Sequence, residues 1–143
     1  MKNTFDDLAF SAMAARASAY SPYSSITVGA ALLGKSGKIY LGSNVENASY
    51  SLTICAERVA FSKAISEGER EFTAIAIAGG KCGEDIKGPF PPCGACRQVI
   101  LETEKRFGTT IKIILYGAEE SYVIEDGIKA LLPLSFDSAF LDE

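Results

Sequence analysis

The spacing of apolar residues changes several times along this chain, and each change marks an element. Phe5, Leu8, Ala9, Ala12 and Met13 recur at helical intervals, and Thr4 with Asp7 three residues on supplies a helix start. That pattern stops at Ser21-Pro22-Tyr23-Ser24. Ile26 to Leu33 and Ile39 to Gly42 read as two strands joined across Gly34-Lys35-Ser36-Gly37, a hairpin. From Ser51 to Glu67 the period is again helical, with Ile54, Val59, Phe61 and Ile65 apolar and Gly68 just past the end. Phe72 to Ala78 is a short apolar run, hence a buried strand. Gly79 to Pro92 holds four glycines and three prolines and reads as a loop. A third helix is predicted to start near Cys93 and run through Arg97, Val99 and Leu101 towards Arg106. Ile111 to Tyr116 reads as another buried strand, Ser121 to Ile124 as an edge strand, and Ile128 to Leu132 as a short helix before Pro133. No internal repeat, low-complexity tract or linker interrupts the series. Helices alternating with buried strands imply an α/β layered domain with helices on both faces of the sheet.

Composition narrows the field. A chain of 143 residues, 48% hydrophobic and 22% charged, is suited to one folded domain rather than to disorder or a coiled coil. The net charge of −4, with no basic cluster, argues against a protein that grips a phosphate backbone. The segment Met1 to Asp7 lacks the apolar core of a secretory signal, and no apolar stretch reaches membrane-spanning length. The expectation is a soluble cytoplasmic protein whose cysteines are free or metal-bound rather than paired in disulfides.

Chemistry concentrates in two short blocks, Cys55-Ala56-Glu57 and Pro92-Cys93-Gly94-Ala95-Cys96. The chain has no histidine, which removes the commonest general base, the commonest zinc ligand and every Ser-His or Cys-His nucleophile pair. Three cysteines with a carboxylate two residues from one of them suit a three-thiolate zinc site, with its fourth position open to water beside an acid/base group. Both blocks fall at predicted helix N-termini, whose partial positive charge favours thiolate over thiol. Arg58 adjoins the ligands and would offset the excess negative charge.

These blocks, with Arg58, Arg97 and Gln98, together with Asn44-Val45-Glu46-Asn47-Ala48-Ser49-Tyr50, resemble the small homotetrameric zinc-dependent cytidine deaminases. Val28-Gly29-Ala30-Ala31-Leu32-Leu33 and Leu131-Leu132-Pro133 also sit where that family has them, so the likeness covers nearly the whole chain. The resemblance implies a single three-layer α/β/α domain over residues 1–143, with a central mixed sheet of about five strands. It implies hydrolytic deamination of cytidine and 2′-deoxycytidine in pyrimidine salvage, a small nucleoside as partner, and a homotetramer. Carried over residue by residue, Cys55, Cys93 and Cys96 would hold Zn²⁺. Glu57 would take a proton from water, pass it to pyrimidine N3 and shuttle another to the leaving ammonia. Asn44 and Glu46 would bind the ribose hydroxyls, and the Ala56 N–H the pyrimidine carbonyl oxygen. Ala48, Tyr50 and Phe136 would reach the sites of neighbouring subunits, Phe136 by stacking on the base. Ile26 stands where the family usually has an aromatic residue, so π-stacking would be lost there while an aliphatic face remains.

Other readings stay open at this level. The pair Cys93 and Cys96 alone suits a redox pair or a structural zinc knuckle, and Cys82 could close a four-cysteine site, although it lies outside both blocks and reads as an incidental thiol. Glu57 could be an ordinary first-turn carboxylate, Arg58 a solvated helix residue, and Phe136 a core residue. Ile26 keeps another aminopyrimidine nucleoside, such as blasticidin S, in play. Gly29 to Ser36 spells the phosphate-loop pattern, but its middle is apolar strand material and the match reads as chance. Asn47-Ala48-Ser49 spells a glycosylation sequon that a cytoplasmic chain would not use.

Overall fold

Alanine and isoleucine alternate through Ala74-Ile75-Ala76-Ile77-Ala78, and that alternation assigns the two faces of the sheet. Successive strand side chains point to opposite faces. Ala74, Ala76 and Ala78 pack with Leu8, Ala9 and Ala12 of the first helix, whereas Ile75 and Ile77 pack with Ala60, Phe61 and Ile100 of the other two. The computed structural model describes residues 4–141. The elements are α1 (Thr4–Ala15), β1 (Ile26–Gly34), β2 (Ile39–Ser43), α2 (Ala56–Ser66), β3 (Phe72–Lys81), α3 (Gly94–Phe107), β4 (Lys112–Leu115) and β5 (Tyr122–Ile124). Met1 to Asn3, part of the segment read for a secretory signal, lie outside the described residues.

The five strands form one mixed sheet in the order β2-β1-β3-β4-β5. β1 pairs antiparallel with β2 and β3, β3 pairs parallel with β4, and β4 antiparallel with β5. The parallel pair needs a crossover, which α3 supplies. With α1 on one face and α2 and α3 on the other, the domain has the expected three layers. No helix among the described residues is long and apolar enough to cross a membrane.

Three elements differ from the sequence reading by more than a residue, each for a physical reason. The second helix begins at Ala56 rather than near Ser51. Residues Tyr50–Leu52 form a separate 3-10 turn, and Ile54 exchanges backbone hydrogen bonds with Val45, both 2.9 Å, which keeps the chain extended into Cys55. Strand β3 runs on through Gly79, Gly80 and Lys81, predicted as loop, because β1 continues to pair with them as far as Ile26. The missing side chain at Gly79 leaves room for the Phe90 ring, 2.6 Å from where a Cβ would lie. The short helix near Ile128 is a single 3-10 turn, Gly127–Ala130.

Two glycines let helices rest directly on strand backbone. A Cβ on Gly29 would lie 2.0 Å from the Ala12 carbonyl oxygen of α1. One on Gly42 would lie 2.3 Å from the Ala56 carbonyl oxygen and 2.7 Å from the Ala60 nitrogen, so β2 sets the depth at which α2 starts. Backbone cannot yield as a flexible side chain can. Gly42→Ala is therefore expected to cost at least about 1–3 kcal/mol and to lower Tm by several degrees. It should also reduce the metal content of the purified protein by displacing the N-terminus of α2. A melt and metal analysis matching wild type would show that α2 does not depend on this contact.

Candidate metal and catalytic site

The starts of α2 and α3 converge. Cys55 is the N-cap of α2 and Cys93 that of α3, both in extended conformation (φ −72°, ψ 153° and φ −70°, ψ 171°), and Cys96 lies buried one turn into α3. Neither N-cap position has a side-chain hydrogen bond to its helix, so both thiols are turned to another use. The Cys55 and Cys93 sulfurs are 3.7 Å apart, those of Cys93 and Cys96 3.6 Å, and all three lie within 4.8 Å of one another. A tetrahedral zinc with Zn–S bonds of about 2.3 Å needs sulfurs about 3.8 Å apart, so the set fits that ion. Cys82, whose backbone N–H donates to the Ser25 carbonyl at 2.7 Å, is exposed and is not one of the cluster.

The sulfurs also act on one another electrostatically. Cys55 is pulled down to about 5, chiefly by the Cys96 thiol bonding to it, and Cys96 is held up by giving that proton. One thiolate is thus stabilised by its neighbours; carrying negative charge on all three requires a metal ion. Arg58 lies against the cluster, with Nη2 3.5 Å from the Cys55 sulfur, and the thiolate raises the guanidinium further. Its buried Nε has no hydrogen-bond partner among the described residues.

Glu57 sits in the first turn of α2 and is only 3% exposed. Burial, assisted by the neighbouring Cys55 charge, pushes its carboxyl up to about 7. A carboxyl so placed can both accept and release a proton near neutral pH, as a general acid/base must. Glu57 is thus a buried carboxyl of the cluster rather than a solvated first-turn residue.

The remaining sequence-derived residues are dispersed around this centre. Asn44 is buried, and its side chain is engaged on both sides, accepting from Val28 N–H at 2.8 Å and donating to the Ile26 carbonyl at 2.9 Å. The Glu46 carboxylate accepts from the backbone N–H groups of Tyr23 (2.9 Å) and Ser24 (3.2 Å) and from the Ser24 hydroxyl. Ser24 heads the causes that hold its pKa below the usual value. Ile26 is half-buried against the core, and Ala56 is fully buried, its N–H among the first of α2. Ala48 is exposed. Tyr50, 73% exposed, meets Tyr23 edge-on at 5.8 Å. Phe136, 58% exposed rather than in the core, stacks on Phe140 at 5.6 Å, and its carbonyl accepts from Gln98 Nε2 at 2.8 Å. Gly29 to Gly34 is strand with a hairpin after it, so the phosphate-loop spelling is indeed fortuitous. Sequence reasoning missed Ser24 and the Tyr23 and Ser24 amides, because no short-range pattern links them to a carboxylate some twenty positions on. It also missed Gly42, for which the spacing of Ala56 and Ala60 on one helix face was the available signal.

Residues 5–110 match the family described as "Cytidine and deoxycytidylate deaminase zinc-binding region". A cytidine deaminase of Sporosarcina psychrophila is 57% identical over 88 residues, which cover 62% of this chain and 61% of that protein. One from Halalkalibacterium halodurans is 57% identical over 91 residues, 64% of this chain and 65% of that protein. The matched segments thus span somewhat under two thirds of these curated relatives. Among solved structures, the cytidine deaminase from Burkholderia pseudomallei is 44% identical and superposes with a TM-score of 0.82, covering 94% of this chain and 100% of that one. A family match over this much of the chain, taking in both cysteine blocks, settles its kinship: the protein belongs to the cytidine and deoxycytidylate deaminase zinc-binding family.

Proposed function

We propose that this chain is a zinc-dependent deaminase that converts cytidine and 2′-deoxycytidine to uridine and 2′-deoxyuridine, a cytoplasmic step of pyrimidine salvage. The observation that carries the reading is Glu57, a carboxyl only 3% exposed, set two residues from one of three sulfurs spaced for zinc. A closed structural zinc site has no use for such a group, and the exposed Cys82 is not positioned to complete four ligands.

In this reading Cys55, Cys93 and Cys96 hold the ion. Zinc supplies Lewis acidity there, which makes water a competent nucleophile at neutral pH. Glu57 accepts the proton of the attacking water and delivers it to pyrimidine N3, then carries the second water proton to the exocyclic amine, which leaves C4 as ammonia. Burial suits both halves of that shuttle, because each needs a carboxyl whose two protonation states are close in energy. Arg58 offsets the excess charge of the thiolates. The Ala56 N–H, at the positive end of α2, donates to the pyrimidine carbonyl oxygen. The aliphatic face of Ile26 packs on the base, and Asn44 and Glu46 face the sugar. Ala48, Tyr50 and Phe136 serve neighbouring subunits of a homotetramer; the exposure of the two aromatics is what supports this assignment.

Purified protein is expected to carry about one zinc per chain. Metal analysis should show it lost in Cys55→Ala, Cys93→Ala and Cys96→Ala and kept in Cys82→Ala; loss in the last variant would mean a closed four-cysteine site.

Mixed with cytidine, the protein should bleach absorbance near the cytidine maximum and release ammonia. Glu57→Gln should keep zinc and fold yet lose roughly 10²–10⁴-fold in turnover, since an amide cannot accept the water proton. Near wild-type turnover in that variant, at equal zinc content, would remove Glu57 from the mechanism.

Sedimentation should find a closed symmetric oligomer, a tetramer in this reading. A fully active monomer would sink the shared-site roles of Tyr50 and Phe136.

A further inference from the structure

The turn Ser21-Pro22-Tyr23-Ser24 ends the first helical pattern, and the proposed chemistry leaves it without a task. In the fold it wraps one carboxylate. Glu46 has about four acceptor positions on its two oxygens. Oε1 takes the Tyr23 and Ser24 N–H groups, and Oε2 takes the Ser24 hydroxyl, so among the described residues one position is left. The direction of that hydroxyl is itself determined. Ser24 Oγ accepts from Ile26 N–H at 3.0 Å, which commits its only proton to Glu46. Ser25, between Ser24 and Ile26, is left-handed (φ 61°), and its carbonyl is tied down by Cys82 N–H at 2.7 Å. Without that bend an extended chain would carry Ser24 and Ile26 apart.

Segment 44–46 is equally constrained from the other side. Tyr20 N–H donates to the Asn44 carbonyl and Glu46 N–H to the Tyr20 carbonyl, both at 2.9 Å, while Val45 pairs with Ile54 next to Cys55. Tyr23, Ser24, Glu46, Tyr50 and Thr53 line a cavity of about 350 Å³. Glu46 is therefore held rigidly at the wall of an open cavity with one acceptor position unused.

We infer that Ser24 is a positioning residue for sugar recognition: its hydroxyl, oriented by Ile26 N–H, locks the Glu46 carboxylate so that one acceptor position faces a single sugar hydroxyl. The inference rests on the reading of Glu46 as a sugar contact. It adds that recognition depends on a side chain that touches no substrate, and that Glu46 accepts from one hydroxyl rather than from both of a diol. A carboxylate held by three donors needs no reorganisation when the nucleoside arrives, so losing one donor weakens binding rather than the chemical step.

The test uses the zinc-loaded full chain, with kcat and KM measured on cytidine and on free cytosine for wild type, Ser24→Ala, Ser24→Thr, Glu46→Gln and the Ser24→Ala/Glu46→Gln double variant. Ser24→Ala should lower the preference for cytidine over cytosine about tenfold, as expected for a lost bond to a charged group, with the loss carried by the KM for cytidine. Ser24→Thr, which keeps the hydroxyl, should stay within about twofold of wild type. Added to Glu46→Gln, Ser24→Ala should cause little further loss, because the two act as one unit. A wild-type preference in Ser24→Ala, an equal loss in Ser24→Thr, or full additivity in the double variant overturns the role of Ser24 while leaving Glu46 as a sugar contact. A wild type that treats cytosine and cytidine alike, or a Glu46→Gln variant that keeps the preference, overturns the sugar reading itself and this inference with it.

Discussion

Three sulfurs within 4.8 Å of one another are the constraint on which the rest of this structure depends. Thiolates at that distance repel strongly unless positive charge surrounds them. The fold supplies it from three directions: the N-terminus of α2, the N-terminus of α3 and the guanidinium of Arg58. Two helix ends can converge only if both helices lie on one face of the sheet, and they do so because Val28 and Leu32 of β1 and Phe72, Ile75 and Ile77 of β3 point to that face. On the opposite face β1 and β3 offer mainly small residues, Ala31, Ala74, Ala76 and Ala78, and α1 packs there, approaching to backbone contact at Gly29.

Two glutamates show how the same side chain is directed to opposite ends. Glu57 is buried with few compensating donors and is pushed up to about 7, where proton exchange is easy. Glu46 is wrapped by three donors from the Tyr23 and Ser24 turn and is held below its usual value, so that it stays a fixed acceptor. One is suited to move protons and the other to hold a hydroxyl. The difference between the roles proposed for them follows from local donors rather than from distance along the chain.

Asn44, two residues before Glu46, ties that segment to β1. Its amide bonds the Ile26 carbonyl and the Val28 N–H, so it fixes the start of β1 and with it the placement of Ile26. The same residue therefore has a structural duty as well as the sugar contact proposed for it, with one N–H and one lone pair still available. Replacing it would disturb the strand before it tested any contact with substrate.

By itself the sequence determined the order of elements, the buried nature of β3 and β4, and which residues are candidates for metal binding and for acid/base work. Hydrophobic period is a local property, and the two cysteine blocks are legible as short motifs wherever the helices beside them begin. What it could not determine were features set by partners far along the chain. Ile54 belongs to a helical period yet is held extended by Val45, which moves the start of α2 to Ala56 and leaves Cys55 at the cap. Gly79 to Lys81 have loop composition yet complete β3, because β1 offers them hydrogen bonds. Gly42 reads as an ordinary strand glycine until α2 is seen resting on it. Ser24 reads as a turn residue until its hydroxyl is found on Glu46, 22 positions away. In each case the deciding energy is a contact between distant segments, and only the folded chain brings those segments together.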